Sequence, residues 1–314
     1  MQKKPSLTSP KVAICLCTYN GQNYLNEQLQ SIAIQSYANW EVWASDDGSV
    51  DSTVEILQAC KQQWSEARLC ITSGPRQGFA TNFLALVCNP DINTEYYAYA
   101  DQDDIWEVDK LQRAIDYLCT VDPDTPALYC SRTRLIDAKN NEIGFSPCFQ
   151  KPPCFANALM QNMGGGNTMV FNKAARSLLC EAGANIDVVT HDWWGYIAIS
   201  GCGGKVFYDH YPSLRYRQHA NNAVGMNANW SARFVRIRLA WQGQFRTWND
   251  KNIDALHRLR ERLTPENRAI LDQFSTSRKR WLLPRLIGFK RAGLYRQTFL
   301  GNLGLIFFIL LNKI

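Results

Sequence analysis

The stretch YAYADQDDIW, residues 97–106, decides the fold, because it joins an apolar, strand-like run to three crowded carboxylates. These are Asp101, Asp103 and Asp104. Two like charges about 4 Å apart repel by roughly 4 kcal/mol at an effective dielectric near 20. The crowding therefore requires a counter-charge, a hydrogen-bonding turn or open water, and which of these applies bears directly on function.

Outward from this stretch, short apolar runs alternate with helix-period segments. Strands are predicted at VAICLCT, WEVWASDD, RLCITS, YYAYA and ALYCSRTRLID, with helices between the first four and another before the fifth. This alternation is typical of βαβ units and a mostly parallel sheet. We therefore predict an α/β fold in which TYNG, SDDGS and DQDD follow three strands at one edge, where such sheets bind their ligands.

After residue 140 the pattern is looser. GGGNTMVF reads as a glycine loop that leads into a strand, and KAARSLLCEAG and HDWWGYIAIS as helices. KVFYD and SLRYRQH are predicted to be two strands, and residues 230–274 to be helical, with a restart at TPEN.

The composition is that of an ordinary globular protein with a sizeable core. Of 314 residues, 46% are hydrophobic and 20% are charged. Eleven Cys are spread along the chain without a CxxC pair, so we interpret them as reduced thiols. The apolar run at residues 12–17 is too short for the core of a signal peptide. We therefore expect a cytoplasmic protein.

The net charge of +6 is distributed unevenly, since residues 273–314 carry eight Lys or Arg and no Asp or Glu. The longest apolar run there is 303–311, whereas spanning a bilayer takes about 20 residues. We predict that residues 275–314 form a basic, amphipathic tail at the cytoplasmic leaflet, helped by roughly 1 kcal/mol per basic residue. The alternative is a helix packed on the catalytic domain. Nucleic acid is not expected as a partner, because the basic residues lie beside a strongly apolar terminus.

The three strand ends together could hold a nucleotide diphosphate. Its phosphates need a divalent cation, Mg²⁺ or Mn²⁺, which one or two carboxylates can bind. We expect Asp103 to be a metal ligand, Asp101 to contact the sugar or the metal, and Asp104 to contact the backbone of the next turn. A turn rich in helix caps is the alternative for any single cluster of this kind.

Two stretches resemble family 2 glycosyltransferases, inverting enzymes of the GT-A (nucleotide-diphospho-sugar transferase) fold. They are AICLCTYNGQNYLNEQLQSIAIQSYANWEVWASDDGSVDST and YAYADQDDIW, and the resemblance extends over about residues 10–225. A later stretch, THDWWGYIAISGCGGKVFYDHYPSLRYRQHANNAVG, is similar to rhamnosyltransferases of bacterial polysaccharide assembly. We therefore expect a tail at 1–10, a GT-A catalytic domain at 11–225 and a helical extension at 226–274.

The resemblance implies a donor site at the strand ends. Asp46 would accept the N3–H of uracil or thymine, and Asp47 would either contact the nucleotide or cap the DGS turn. The residues expected to contact the nucleotide sugar are Thr18, Tyr19, Asn20, Asp46, Asp47 and Asp101. Because both bases carry the N3–H group, the motif does not separate UDP from dTDP donors.

Inverting transfer also needs a base, which the family places at the start of a helix after the glycine loop. The family pair is usually Glu-Asp; here it is His191-Asp192, so we assign Asp192 as the base and leave His191 between a cap and an active role. The residues expected on the acceptor side are Gly165, Gly166, Asn167, Trp193 and Trp194, with at least one Trp in the core.

His219 is expected to reach the metal or the diphosphate, as a basic residue after a late strand does in related enzymes; the alternative is a hydrogen-bonded structural residue. Arg215 and Arg217 are either diphosphate contacts or part of a solvated strand face. The resulting hypothesis is transfer of L-rhamnose from dTDP-L-rhamnose to a lipid-linked, O-antigen-type polysaccharide. The alternatives are a UDP-hexose donor, a nucleotide-sugar-binding assembly partner without activity, and a nucleotidyltransferase, which would usually carry a basic glycine loop after the first strand.

Overall fold

A computed structural model describes residues 9–64, 67–219 and 243–314. The domain boundary predicted at 225/226 and the helix predicted from residue 230 begin outside these residues. The strands are β1 Val12–Thr18, β2 Trp40–Asp46, β3 Leu69–Ser73, β4 Tyr96–Ala100, β5 Ile105–Trp106, β6 Ala127–Ile136, β7 Glu142–Phe145, β8 Val170–Asn172 and β9 Lys205–Arg217.

These strands form one sheet with the order β3-β2-β1-β4-β8-β6-β9-β5, and β7 pairs with β6. β1, β2, β3 and β4 run parallel, as the alternating sequence predicts. β8 is antiparallel to both β4 and β6. β9 is one continuous strand parallel to β6, although the sequence suggested two strands.

The helices pack on both faces of this sheet. Residues of β1 alternate between the two cores, with Ala13 and Cys15 in one and Val12 and Ile14 in the other, which is why the whole strand is apolar. The helices are α1 Leu25–Ala33, α2 Thr53–Trp64, α3 Phe79–Val87, α4 Lys110–Leu118, α5 Phe155–Ala158, α6 Lys173–Ala182, α7 His191–Gly201, α8 Gln244–His257, α9 Pro265–Arg278, α10 Leu282–Arg291 and α11 Phe299–Leu310.

The carboxy-terminal helices share the core of the sheet domain. Leu256, Phe274, Phe289 and Ile309 belong to the same buried cluster as the apolar residues of α7. α9 runs through residue 275, where the tail was predicted to begin, so that boundary falls inside a helix. At its start, Thr264 accepts a hydrogen bond from the Asn267 amide at 3.2 Å, the cap that TPEN indicated.

The tail is therefore packed against the domain along one face, which was the alternative interpretation from the sequence. Its outer face still exposes large apolar side chains, which a folded domain usually covers. The exposed residues are Trp281, Leu282, Leu283, Ile287, Phe299, Leu300, Leu303, Ile306, Phe307, Leu310 and Leu311. Within the described ranges, no helix combines the length and apolarity needed to traverse a bilayer. All eleven cysteines are free thiols, as expected.

Candidate active site

A cleft of about 1530 Å³ lies at the carboxyl ends of β1 and β4. Its walls include residues 18–21, the loop 101–103, the glycine loop 163–167 and the start of α7. Ligand pockets are commonly about 300–1,000 Å³, so this cleft has room for two substrates. The strand-end clusters and the helix-start aspartate that the sequence singled out thus meet at one place.

Asp46 closes the turn between β2 and α2, and this corrects its predicted role as a base contact. Its carboxylate accepts hydrogen bonds from the Thr18 hydroxyl at 2.9 Å and from the Gly48 and Ser49 amides at 3.1 and 2.8 Å. The Ser49 hydroxyl adds a fourth bond at 2.5 Å. A carboxylate has about four acceptor sites, so none remains for a uracil or thymine. Asp46 does not line the cleft, since it is 9% exposed and held below the surface.

Asp47 reaches the cleft instead. Its carboxylate accepts hydrogen bonds from the Arg76 amide at 2.6 Å and the Gly78 amide at 2.9 Å, so it anchors the loop before α3. Thus, of the two aspartates in SDDGS, Asp46 caps the turn and Asp47 lies beside the ligand space. The sequence placed Asp46 at the base and left Asp47 between a nucleotide contact and the turn cap, because it could not show which carboxylate turns inward.

Gln102 links the loop after β1 to the loop after β4, and this role could not be seen in the sequence. Its side-chain oxygen accepts from the Tyr19 amide at 2.8 Å and its nitrogen donates to the Tyr19 carbonyl at 2.9 Å. Asn20, which has a left-handed φ of 50°, accepts from the Val50 amide at 2.9 Å. These bonds hold Tyr19 with its ring 58% exposed at the cleft wall.

The three carboxylates of DQDD lie in different environments, so they are less crowded in space than in the sequence. Asp101 and Asp103 line the cleft, whereas Asp104 is fully buried. Asp104 accepts from the side-chain amide of Asn167 at 2.5 Å and from the Arg217 amide at 3.4 Å, so it contacts distant segments and not the next turn. Asn167, expected on the acceptor side, is thereby committed to holding Asp104, although it still borders the cleft.

Burial sets the protonation of these groups. Desolvation first, then the charges of Asp103 and Asp192, raise the pKa of Asp101 to about 8. Desolvation likewise raises the pKa of Asp104 well above its ordinary value. Nearby, burial lowers the pKa of Lys110 to about 7, against the opposing charge of Asp104. The aspartate cluster therefore carries less negative charge at neutral pH than its sequence suggests.

Asp103 and His219 lie together at the cleft, as both would for the predicted metal role. The Asp103 Oδ2 atom is 2.7 Å from His219 Nε2. Within residues 9–64, 67–219 and 243–314, no group of three or more His, Cys, Asp or Glu side chains is arranged to hold a metal ion. One carboxylate and one imidazole still fit a cation whose other ligands are diphosphate oxygens and water.

Arg215 and Arg217 do not line the cleft as the structure describes it, which corrects their predicted contact with the diphosphate. Arg217 is 1% exposed; its guanidinium donates to the Asp103 carbonyl at 3.0 Å and to Glu27 at 2.7 Å. Arg215 pairs with Glu107 at 3.1 Å. Arg217 is thus a buried support beneath the aspartate loop, and neither a phosphate ligand nor part of a solvated face.

Asp192 faces the cleft from the first turn of α7. Its Oδ2 atom accepts from the Asn162 side chain at 2.8 Å and from the Gly166 amide at 3.0 Å, and Oδ1 accepts from the Trp193 amide at 2.7 Å. With three of about four acceptor sites used, one remains for a substrate hydroxyl. The glycine loop therefore orients this carboxylate, and Asn162 is a further residue that the sequence analysis did not single out.

The glycines are required by packing. A Cβ on Gly166 would collide with His191 Nε2, and one on Gly165 would lie 2.6 Å from Asn167 Oδ1. His191 itself is 4% exposed and stacks on Phe83 with ring centroids 3.9 Å apart. Neither of its ring nitrogens has a hydrogen-bond partner in the described residues, and burial lowers its pKa to about 4. His191 is therefore a neutral, largely buried ring in the cleft wall.

The two tryptophans after Asp192 differ, as the sequence analysis allowed. Trp193 lines the cleft and donates from its indole to the Ala158 carbonyl at 2.7 Å. Trp194 is 0% exposed, so its predicted stacking on a sugar is excluded. Because α7 is apolar on nearly all of its faces, the sequence could not show which of the two rings is buried; the packing of the helix in the core determines this.

Comparison with known proteins identifies the fold and family. The family described as Glycosyl transferase family 2 matches residues 13–177. The dTDP-rhamnosyl transferase RfbG of Shigella flexneri is 30% identical over 254 residues, which cover 77% of this chain and 84% of that protein.

Two solved structures share the fold at low identity. One is S. aureus TarS 1-349 in complex with UDP-GlcNAc, with a TM-score of 0.53, 15% identity and coverage of 91% of this chain and 93% of TarS. The other is the mannosyltransferase PcManGT from Pyrobaculum calidifontis in complex with GDP-Man and Mn²⁺, with a TM-score of 0.52, 17% identity and coverage of 98% and 86%. The predicted GT-A fold is thus confirmed, and the chain belongs to glycosyl transferase family 2, as a glycosyltransferase.

Proposed function

We propose that this glycosyltransferase inverts the anomeric centre of a nucleotide-diphosphate sugar, best matched by dTDP-L-rhamnose, as it transfers the sugar to a lipid-linked polysaccharide of the O-antigen type. The observation that carries the proposal is that Asp192 and the Asp103–His219 pair line a single cleft. The similarity to a relative named as a dTDP-rhamnosyl transferase supports the donor.

Asp192 would act as the general base. The acceptor hydroxyl oxygen forms a bond to the anomeric carbon while the bond from that carbon to the diphosphate oxygen breaks. The hydroxyl proton passes to Asp192, and the bonding electron pair leaves with the nucleoside diphosphate. A positioned base contributes about 10²–10⁴-fold to such a step, and the bonds from Asn162 and Gly166 supply the positioning.

Asp103 and His219 would hold a divalent cation, Mg²⁺ or Mn²⁺, at the wall formed by the strand ends. When bound, the cation neutralises the charge that develops on the leaving diphosphate. The presence of Mn²⁺ in the PcManGT structure is consistent with this requirement. Asp47, Tyr19 and Asp101 would face the nucleotide sugar, because they line the cleft between the two walls.

We further propose that the outer face of α10 and α11 rests on the cytoplasmic leaflet of the plasma membrane. Ten large apolar side chains of Trp281–Leu310 are exposed there, beside the basic residues Lys290 and Arg291. Apolar side chains inserted into the interface and basic residues near anionic lipid both favour this seating. It would bring the site to an acceptor carried by a lipid.

Asp103→Ala is expected to abolish the part of donor binding that depends on Mn²⁺, because the cation loses its carboxylate ligand. Calorimetric titration of dTDP-L-rhamnose and of a UDP-hexose, with Mn²⁺ and with EDTA, measures this and ranks the donors. Asp91→Ala, at an exposed carboxylate, is the matched control. Unchanged Mn²⁺-dependent binding in Asp103→Ala would refute the ligand role, and tighter binding of the UDP-hexose would favour the alternative donor.

The membrane proposal is tested by replacing Phe299, Leu300 and Leu303 with Ser. Because these side chains are 76%, 78% and 48% exposed, the change leaves the core intact, whereas deleting the tail would remove buried residues such as Ile309. We expect at least about a tenfold loss of binding to anionic vesicles, from about 0.8 kcal/mol per buried CH₂ group. Undiminished flotation of the triple variant with the vesicles would place the membrane contact elsewhere.

A further inference from the structure

A second cavity, of about 300 Å³, opens beside the active-site cleft. It lies between the inner face of α11 and the segment around Phe149, and its walls are mainly apolar: Phe149, Trp193, Phe245 and Phe308 contribute. Several residues, among them Trp193, border both this groove and the cleft that contains Asp192. The groove therefore extends the part of the cleft that contains Asp192, and residues of the aspartate loop do not line it.

Arg296 stands where the two cavities meet and lines both of them. Its side chain makes no hydrogen bond or ion pair with any described residue; its guanidinium lies 5.9 Å from the ring centroid of Phe245. Burial lowers its pKa, yet an arginine keeps its charge in proteins.

Other largely buried arginines in the described part of the chain have acceptors. Arg217 pairs with Glu27 at 2.7 Å, Arg278 pairs with Asp250 at 2.7 Å, and Arg285 donates to the Ile309 carbonyl at 2.8 Å. A partly desolvated cation without a protein acceptor is costly, so this position favours the binding of an anion. The aspartate loop, residues 101–103, does not line this groove, so we take this anion to be distinct from the diphosphate proposed there.

We propose that Arg296 binds a phosphate of the acceptor, and that the adjoining groove holds the start of the apolar chain to which this phosphate is attached. Among the described residues that line it, this apolar groove has one cation, Arg296, which fits an amphipathic anion. The helix α11, which lines the groove, also exposes large apolar side chains on its outer face. The ligand class is thus a sugar joined through phosphate or diphosphate to an apolar lipid. The assignment rests on the proposed function, because it places the acceptor sugar towards Asp192.

The test uses farnesyl diphosphate as a minimal probe, with farnesol and inorganic pyrophosphate as partial probes, titrated in EDTA so that the cation site does not contribute. The wild-type protein should bind farnesyl diphosphate at least about tenfold more tightly than either partial probe. Arg296→Gln should lose at least about tenfold of that affinity, whereas Lys290→Gln, at an exposed basic residue on the outer face, should retain it. Equal losses in both variants would overturn the proposal in favour of bulk attraction to basic residues.

Gly304→Leu provides a second, independent variant. A Cβ at this helical position meets nothing within 4 Å, and Gly304 lines the groove, so a Leu there would take up groove volume and would favour the helix. We expect weaker binding of both farnesyl diphosphate and farnesol, with pyrophosphate binding and the thermal midpoint undiminished. Unchanged farnesyl diphosphate binding in this variant and in Arg296→Gln would refute the site.

Donor binding separates this inference from the proposed function. Arg296→Gln should bind dTDP-L-rhamnose with Mn²⁺ as the wild type does, and in turnover assays should raise KM for a lipid-linked acceptor more than it lowers kcat. A protein that binds the donor but not the probe contradicts the acceptor site alone. A protein that binds neither donor nor Mn²⁺ contradicts the proposed function.

Discussion

The two walls of the cleft are built differently. On the wall formed by the strand ends, each loop is tied to another: Thr18 to Asp46 at 2.9 Å, Gln102 to Tyr19 at 2.8 Å, and Asp47 to the Gly78 amide at 2.9 Å. On the opposite wall, aromatic side chains and an arginine without a partner in the described residues surround a single well-oriented carboxylate, Asp192.

This difference indicates that the binding free energies of the two substrates come from different interactions. A wall whose polar groups are already hydrogen-bonded is preorganised, so a ligand that docks there loses little free energy to rearrangement. A wall of apolar surface with one unneutralised charge gains most of its binding free energy from desolvation and a single ion pair. Variants on the two walls should therefore affect different measurements.

The largest effect is expected for Asp192→Asn. The amide cannot accept the acceptor proton, so turnover should fall by at least about 10², while donor affinity stays near the wild-type value. Single-turnover kinetics together with donor titration measure the two quantities. Asp187→Asn, which alters an exposed carboxylate paired with Lys251, is the control. Turnover that survives in Asp192→Asn would move the base to another residue.

The next effect, on stability and not on turnover, is expected for His191→Gln. The pKa of His191 falls from 6.5 to about 4 on folding, so the unfolded chain binds more protons between these pH values and stability is lost as the pH drops from 6.5 to 4. At 1.36 kcal/mol per pKa unit, the loss amounts to about 3 kcal/mol. Denaturant unfolding across this range should show a flatter pH dependence in His191→Gln than in the wild type. The exposed His210→Gln should keep the wild-type slope, and equal slopes in all three proteins would contradict the buried, neutral imidazole.

The smallest effect is expected for Gln102→Ala, which removes two hydrogen bonds between the strand ends. At about 0.5–1.5 kcal/mol each, their loss should weaken donor binding by roughly tenfold, with little change in the affinity for an acceptor. Calorimetry with each substrate measures both. If acceptor affinity fell as far as donor affinity, the two walls would not be independent.

The sequence predicted the parts of this fold that depend on local patterns. YYAYA and VAICLCT were assigned to strands with the bounds that the structure has, because buried parallel strands are short, continuous apolar runs. The two-residue strand Ile105–Trp106 was missed, since it forms only by pairing with β9, more than 100 residues away. The single strand β9 was divided because Pro212 breaks the local pattern within KVFYDHYPSLRYR.

The site could be predicted to the level of residue type and strand end, but not of side-chain direction. The sequence placed Asp103, His219 and Asp192 at the cleft, where they do lie, while their chemical roles remain predictions. It placed Asp46 at the base, although Asp46 closes the turn, and it left Asp47 open between the two roles, because a turn can use either carboxylate. It also missed Arg296, whose isolation depends on what surrounds it in space.

The buried Arg217 has a practical consequence for altering sugar specificity. Its guanidinium joins the backbone of the aspartate loop to Glu27 of α1, so three segments distant in sequence are held in one arrangement. A loop transplanted from another sugar transferase would sit correctly only if its recipient supplied the same cation and the same glutamate. In redesign, the three segments should therefore be exchanged together. A variant that receives the aspartate motif alone should fold poorly or bind its donor in a shifted position.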